Sequence, residues 1–177
     1  HPHGQGIMVY FGTGQYLEPD DTDAIGQGRQ AFYGILDEGS PASANNLLEQ
    51  EVTWEGTVDG TDIRVTSDER LRAHHDGWYM ELPSAGERVV NPPLLRSGRI
   101  IFTTRIPSGD ACGYGGTGWL MEVDAVSGAR LSRTPFDISD DGTVDEADLV
   151  DDPDSSDSDD QVAASGRKSE SGMPTAP

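Results

Sequence analysis

The chain is poor in several features that define common classes of protein. Its 177 residues include one cysteine, Cys112, so no disulfide can form within the chain. No apolar run is long enough to cross a bilayer, and the first residues do not form a signal peptide. Lysine and arginine number 12 against 32 aspartates and glutamates, which gives a net charge of −20. Such a charge repels nucleic acids and anionic membranes, so we predict no nucleic-acid partner and no direct membrane insertion.

The rest of the composition favours short β-strands joined by turns. The chain holds 22 glycines and 11 prolines, and no stretch sustains the period of an amphipathic helix. Strand patterns cover residues 6–12, 30–37, 51–58, 61–67, 78–82, 88–90, 99–106, 119–123 and 129–133, and one short helix is predicted at 42–49. Asp59-Gly60, between two alternating runs, indicates a β-hairpin. The predicted fold class is all-β.

An internal repeat refines this fold prediction. The residues Gly-Trp, Met and Glu recur at an interval of 41, from Trp78 to Trp119, and Gly86 and Arg88 recur at 42, as Gly128 and Arg130. Each copy is predicted to be a strand, a glycine turn and a returning strand. Repeats of about 40–45 residues built from β-hairpins are typical of propeller blades. We therefore predict a partial, modified β-propeller of about three to four blades, with the repeated tryptophans packed between blades.

The segment from residue 136 to 149 carries the clearest chemical pattern. Calcium takes six to eight oxygen ligands, which a tight loop can deliver from alternate residues around a glycine. The EF-hand pattern places Asp137 at position 1, Ser139 at 3, Asp141 at 5, Gly142 at 6, Thr143 at 7 through its carbonyl, Asp145 at 9 and Asp148 at 12. Serine at position 3 and aspartate at position 12 are departures that still supply oxygens. The sequence predicts an EF-hand-like Ca²⁺ loop at 137–148; the alternative interpretation is a solvated acidic turn.

Other candidate sites have weaker patterns. Gly113, Gly115 and Gly118 form G-x-G-x-x-G, but a strand pattern follows where a dinucleotide site needs a helix. His74, His75 and Asp76 could ligate a metal but lack a further spaced ligand, and His1 and His3 at the terminus have no partner. Cys112 has no activating signature around it. We predict no catalytic residue and no organic cofactor.

Several blocks of sequence resemble one known family. They are V-Y-F-G-T-G-Q-Y-L, F-Y-G-I-L-D, G-W-Y-M-E-L, I-I-F-T-T-R-I-P, C-G-Y-G-G-T-G-W-L-M-E-V-D-A-V-S-G and F-D-I-S-D-D-G-T-V-D. In this order, over residues 6–148, they are similar to the C-terminal domain of the PilY family, the tip-associated assembly and adhesion factors of bacterial type IV pili. The resemblance implies a modified propeller with an inserted calcium loop, with ligands at Asp137, Ser139, Asp141, Thr143 and Asp145. Asp148 is a ligand by the EF-hand pattern only.

The resemblance also implies a function and a location. It implies a non-enzymatic domain at the bacterial surface or pilus tip, exported through the periplasm, whose calcium supports pilus extension against retraction and surface adhesion. Its partners would be minor pilins, host or abiotic surfaces, and the remainder of its own propeller. Two alternatives remain open: a quinoprotein-dehydrogenase-like propeller enzyme, although neither repeat has that family's docking tryptophan, and a purely structural, calcium-stabilised extracellular domain.

The domain prediction divides the chain at residue 150. Residues 1–150 are predicted to form the propeller part with the calcium loop. Residues 151–177 are predicted to be an acidic and polar linker toward a next blade, with a composition typical of disorder. Because the chain has no initiating methionine, we expect it to be a piece of a longer protein.

Overall fold

A computed structural model of the chain describes residues 6–15, 28–108, 115–157, 159–169, 172 and 174–177. His1, His3, Cys112 and Gly113 lie outside the described residues. The strands, in chain order, are β1 (Ile7–Gly12), β2 (Ala31–Asp37), β3 (Leu47–Gln50), β4 (Val52–Val58), β5 (Thr61–Thr66), β6 (Gly77–Glu81), β7 (Leu94–Arg96), β8 (Arg99–Thr103), β9 (Ile106–Pro107), β10 (Gly116–Thr117), β11 (Trp119–Asp124), β12 (Val150–Asp151), β13 (Gln161–Val162) and β14 (Gly166–Lys168).

Two sheets form the body of the described structure. The four-stranded sheet has the order β1-β2-β6-β3, in which β3 runs parallel to β6 and the other neighbours are antiparallel. The six-stranded sheet has the order β4-β5-β14-β11-β8-β7 and is antiparallel throughout. The pairs β9–β10 and β12–β13 are small separate ribbons.

The predicted hairpin at Asp59-Gly60 is confirmed. It joins β4 to β5, with Val58 opposite Thr61. Asp59 and Gly60 have φ angles of 49° and 84°, and two successive positive φ angles define the turn that matches the twist of a β-ribbon. Aspartate and glycine are residues that tolerate this conformation, so local turn chemistry sets the register here.

Two apolar clusters lie on opposite faces of the six-stranded sheet. The first fills the space between the sheets and combines Phe32, Trp78 and Met80 with Phe102, Met121 and other side chains. The second lies on the other face and contains Ile63, Val65, Phe136, Ile138, Val150 and Ala164. The acidic loop is therefore attached to the sheet through its own buried apolar residues at both ends.

Both repeated tryptophans are buried in the core, while their packing between blades stays a prediction. Trp78 is fully buried, its indole N–H donates to the carbonyl of Ala125 at 3.3 Å, and its ring lies against Gly128. The tryptophan of one repeat thus contacts the glycine turn of the other, and the contact joins the two sheets. A Cβ at Gly128 would collide with that ring, so glycine is required there.

Three predicted elements differ from the structure. The helix prediction at 42–49 is wrong: a 3-10 turn at Ala44–Asn46 leads directly into β3, which hydrogen-bonds to β6. Pairing with a neighbouring strand outweighs weak local helix propensity here. Residues 129–133 form no strand; the Arg130 N–H donates to the carbonyl of Ser67, just after β5. Residues 88–90 retain one β-bridge, between Arg88 and Arg105.

The division at residue 150 also differs from the structure. β14 is placed inside the six-stranded sheet, between β5 and β11, so residues beyond 150 complete the sheet. Ala163, Ala164 and Ser165 are buried just before it, and the space of a side chain at Gly166 is taken by the sulfur of Met121. Only small residues fit here because the neighbouring strands approach closely. Small residues have little hydropathy signal, so the sequence pattern did not reveal this strand.

The all-β fold class is confirmed, while the number of blades remains a prediction. Helical structure in the described residues is confined to short 3-10 turns. None of the described helices has the length and apolar character needed to cross a membrane.

Candidate functional site

The acidic loop 137–148 begins and ends on the second apolar cluster. Phe136 and Ile138 are 7% and 2% exposed, and Val150 is 5% exposed, all packed with Ile63 and Val65 of β5. Asp137 and Ser139 alternate with these buried residues along the chain. Fixed apolar anchors at both ends hold the two ends of the loop next to each other, which a multi-ligand loop needs.

Asp148 closes this loop from inside. It is 1% exposed, and its Oδ1 accepts hydrogen bonds from the backbone N–H groups of Ile138 at 2.7 Å and Ser139 at 2.9 Å. Its Oδ2 accepts from the backbone N–H of Asp145 at 2.9 Å. The N–H of Ser139 above all, then those of Asp145 and Ile138, lower the pKa of Asp148 against the opposing effect of burial. This carboxylate ties the first residues of the loop to the last.

The other oxygens organise the turn at its tip. Asp137 Oδ2 accepts from the N–H of Gly142 at 3.0 Å. Asp141 Oδ1 accepts from the N–H of Thr143 at 2.8 Å and from its hydroxyl at 2.6 Å. Gly142 has a φ angle of 86°, with nothing near the position of a Cβ. The glycine at position 6 therefore serves backbone conformation, as the pattern requires.

Two oxygens at the start of the loop have no hydrogen-bond partner. Asp137 Oδ1 and Ser139 Oγ are both inaccessible to solvent, and neither makes a hydrogen bond of acceptable geometry. The Ser139 hydroxyl lies near the Asp148 carboxylate and helps to lower the pKa of that group, but no hydrogen bond of good geometry joins the two. A buried polar atom without a partner costs roughly 1–3 kcal/mol. Both atoms occupy predicted ligand positions, and both are oxygens of the kind that Ca²⁺ prefers, so the donor set fits that ion.

The predicted ligands are only partly brought together. Asp141, Thr143 and Asp145 are exposed at the tip, while Asp137 and Ser139 lie deeper and Asp148 is buried beneath them. Among the residues that the structure describes, no group of three or more histidine, cysteine or acidic side chains is close enough to hold a metal ion. The carboxylates at the tip accept hydrogen bonds from the loop's own N–H groups instead, as described above.

The weaker candidates take structural roles where they are described. The Nδ1 of His75 accepts from the backbone N–H of Arg72 at 3.0 Å, and Asp76 accepts from the N–H of Ser43 at 2.9 Å. Gly115 to Gly118 lead into strand β11, where a dinucleotide fingerprint would need a helix.

Sequence reasoning missed a buried ion pair in the described core. Arg64 and Glu87 have side chains with no exposed surface and form two hydrogen bonds, at 2.6 and 2.8 Å. The Arg64 guanidinium also lies 4.1 Å from the centroid of the Trp119 ring. The two partners are 23 residues apart in the chain, and neither belongs to a motif. Local sequence patterns therefore could not predict the pair.

Fold and loop together define a class of protein: an all-β domain that carries an acidic loop on one face of its larger sheet. No family model matches the chain. A type IV pilus biogenesis factor PilY1 homolog of Xylella fastidiosa is 35% identical over 140 residues, which cover 75% of this chain and 11% of that protein. The type IV pilus biogenesis factor PilY1 of Pseudomonas aeruginosa PAO1 is 28% identical over 169 residues, which cover 82% of this chain and 15% of that protein.

A solved structure agrees with these relatives. The crystal structure of the Pseudomonas aeruginosa PilY1 C-terminal domain superposes with a TM-score of 0.80 and 25% identity, covering 96% of this chain and 37% of the solved chain. The chain belongs to the PilY1 family and is similar to part of the C-terminal domain of one of its members. It spans only about a tenth to a seventh of the length of the curated relatives, 11% and 15% in the two cases above.

Proposed function

We propose that this chain is a calcium-binding, non-enzymatic part of a type IV pilus biogenesis factor that acts at the bacterial surface. The pilus role is supported by the names of its relatives. The calcium role is supported by one observation above all: Asp137 Oδ1 is buried without a partner at position 1 of the loop, and Ser139 Oγ is buried at position 3 without a hydrogen bond of good geometry. A cation coordinated by both oxygens would remove the cost of burying each of them without a partner.

Five residues would hold the ion, and a sixth would position them. Asp137, Ser139, Asp141 and Asp145 supply side-chain oxygens and Thr143 its carbonyl. Bound calcium would neutralise crowded carboxylates and satisfy these oxygens. Both carboxylate oxygens of Asp148 accept hydrogen bonds from backbone N–H groups, so we assign this residue the role of closing the loop. Any contribution that it makes as a ligand would come through a remaining lone pair or a water molecule.

The position of the loop allows calcium binding to change the exposed face of the domain around it. The acidic segment between residues 137 and 160 carries twelve carboxylates and no lysine or arginine, so mutual repulsion loosens the exposed tip when no cation is present. Its ends are packed on the second apolar cluster. We propose that calcium occupancy changes what this face presents to minor pilins or to a surface during adhesion, and so favours pilus extension over retraction.

The test replaces Asp137 and Asp145 by alanine in the parent gene. We expect loss of surface pili and of twitching motility, with pili restored when the retraction motor is deleted. The matched control is Asp154→Ala with Asp159→Ala, which removes two charges from exposed aspartates outside the loop. Normal piliation and motility in the loop variant, with the protein at its usual level, would contradict a regulatory role. Equal defects in both variants would trace the effect to charge rather than to the loop.

A further inference from the structure

An apolar cleft opens beside the loop, between the outer strand β4 and the chain that leaves the loop. Its volume is 360 Å³, and it is lined by Trp54, Val58, Leu149, Val150, Asp151 and Pro153. This volume is at the lower end of the range of about 300–1,000 Å³ for small-molecule sites. It has room for a large apolar side chain.

The wall formed by β4 is built to expose an aromatic ring. Trp54 and Val58 pack partly on the second apolar cluster, and Gly56 between them has no side chain, so the Trp54 ring lies across it. A shift of register between Val52 and Trp54 marks a bulge, a feature that redirects side chains at sheet edges. Trp54 remains half-buried, whereas Trp78 and Trp119 are 0% and 2% exposed.

The same strand has a free edge among the described residues. β4 hydrogen-bonds to β5 on one side only and ends the order of the six-stranded sheet. An edge strand offers a row of backbone donors and acceptors to an extended segment, and alternate side chains of that segment would then point toward the cleft. The exposed Glu55 lies on this strand, between the two residues that contribute to the cleft.

Charge indicates which segment would bind. Of the described residues lining the cleft, Asp151 is the one that carries a charge, and it belongs to the segment with twelve carboxylates and no basic residue. A basic segment would be attracted to this face and an acidic one repelled.

We propose that this cleft is the docking site for an extended peptide segment of a partner protein, which inserts one large apolar side chain beside Trp54 and carries lysine or arginine on both sides of it. The segment adds to the free edge of β4. Backbone pairing and the apolar anchor provide affinity, and the acidic surroundings select basic flanks. The proposal is independent of calcium and of the pilus assignment.

The probe is the capped synthetic peptide Lys-Thr-Lys-Phe-Lys-Thr-Lys, titrated into the 177-residue chain while tryptophan emission is recorded. Because Trp78 and Trp119 are buried, any change in emission on peptide binding should come from Trp54. Replacing the central phenylalanine by alanine keeps the charge and should weaken binding about tenfold or more, the effect of removing a buried aromatic side chain. Equal affinities for the two peptides would overturn the proposal.

Protein variants locate the site. Leu149→Ala should weaken binding of the phenylalanine peptide severalfold, whereas Leu95→Ala, at the 58% exposed Leu95 of the far edge strand β7, should not. If Leu149→Ala unfolds, a second pair of variants makes the same comparison through charge. Asp151→Asn, in the cleft, should weaken peptide binding, whereas Glu38→Gln, at an exposed residue outside the cleft, should not. Equal effects of both members of a pair would reduce the binding to non-specific attraction and overturn the proposal. A dimer abolished by Leu149→Ala would assign the cleft to a second copy of the chain and also overturn it.

Discussion

Replacing Asp148 by alanine should destabilise the calcium-free chain by about 2–5 kcal/mol, because three backbone N–H groups lose their acceptor. The N–H of Ile138 is buried and would bear the full cost of an unpaired donor, roughly 1–3 kcal/mol. Those of Ser139 and Asp145 are part-buried and partly regain water, which leaves about 0.5–1 kcal/mol each. The sum is a large fraction of the roughly 5–15 kcal/mol that stabilises a typical domain.

Urea unfolding in the presence of a chelator measures this change. The matched variant is Asp141→Ala, whose carboxylate accepts from Thr143 at the exposed tip and which should cost less than about 1 kcal/mol. If Asp148 acted only as a calcium ligand, Asp148→Ala would equal the wild type without calcium and differ only when calcium is added. That result would refute the role in loop closure.

Three further changes probe the rest of the structure. Glu87→Ala should cost at least about 1.5–3 kcal/mol, since it removes two charged hydrogen bonds from the buried Arg64 and leaves the guanidinium with the partly exposed Glu55 as its acidic partner. Glu81→Ala at the exposed pair with Arg29 should cost less than about 1 kcal/mol in the same urea assay. Gly128→Ala should lower the melting temperature because the new methyl group meets the Trp78 ring; no change would mean that the ring moves freely. Burial, and then Glu49, raise the pKa of Tyr79 from 10.0 to about 12; its contribution to stability should be complete below pH 10 and lost as the pH rises toward 12, and ultraviolet titration of wild type against Tyr79→Phe should show one late-titrating phenol.

Where the sequence predicted structure well, the cause was local. The turn between β4 and β5 depends on two residues that accept positive φ angles, Asp59 and Gly60. The loop 137–148 depends on spacing within twelve residues, so its register around Gly142 could be recognised without tertiary information.

Where prediction failed, distant partners decided the outcome. Leu47–Gln50 is extended because β6 accepts it as a parallel neighbour, which no helix propensity reveals. β14 is short and polar, and its position between β5 and β11 depends on strands about fifty to a hundred residues earlier. In the site, spacing suggested Asp148 as a ligand, but its contacts with the N–H groups of Ile138 and Ser139 arise from the folded loop.

Calorimetric titration of Ca²⁺ into the chain tests the central claim most directly. We predict one ion bound per chain, with a dissociation constant between about 10⁻⁷ and 10⁻³ M, and with Mg²⁺ competing poorly. Asp141→Ala should abolish or strongly weaken this binding, whereas Asp154→Ala, an equal loss of charge at an exposed aspartate outside the loop, should leave it unchanged. Equal binding by the wild type and Asp141→Ala, or no binding by the wild type, would contradict the calcium loop.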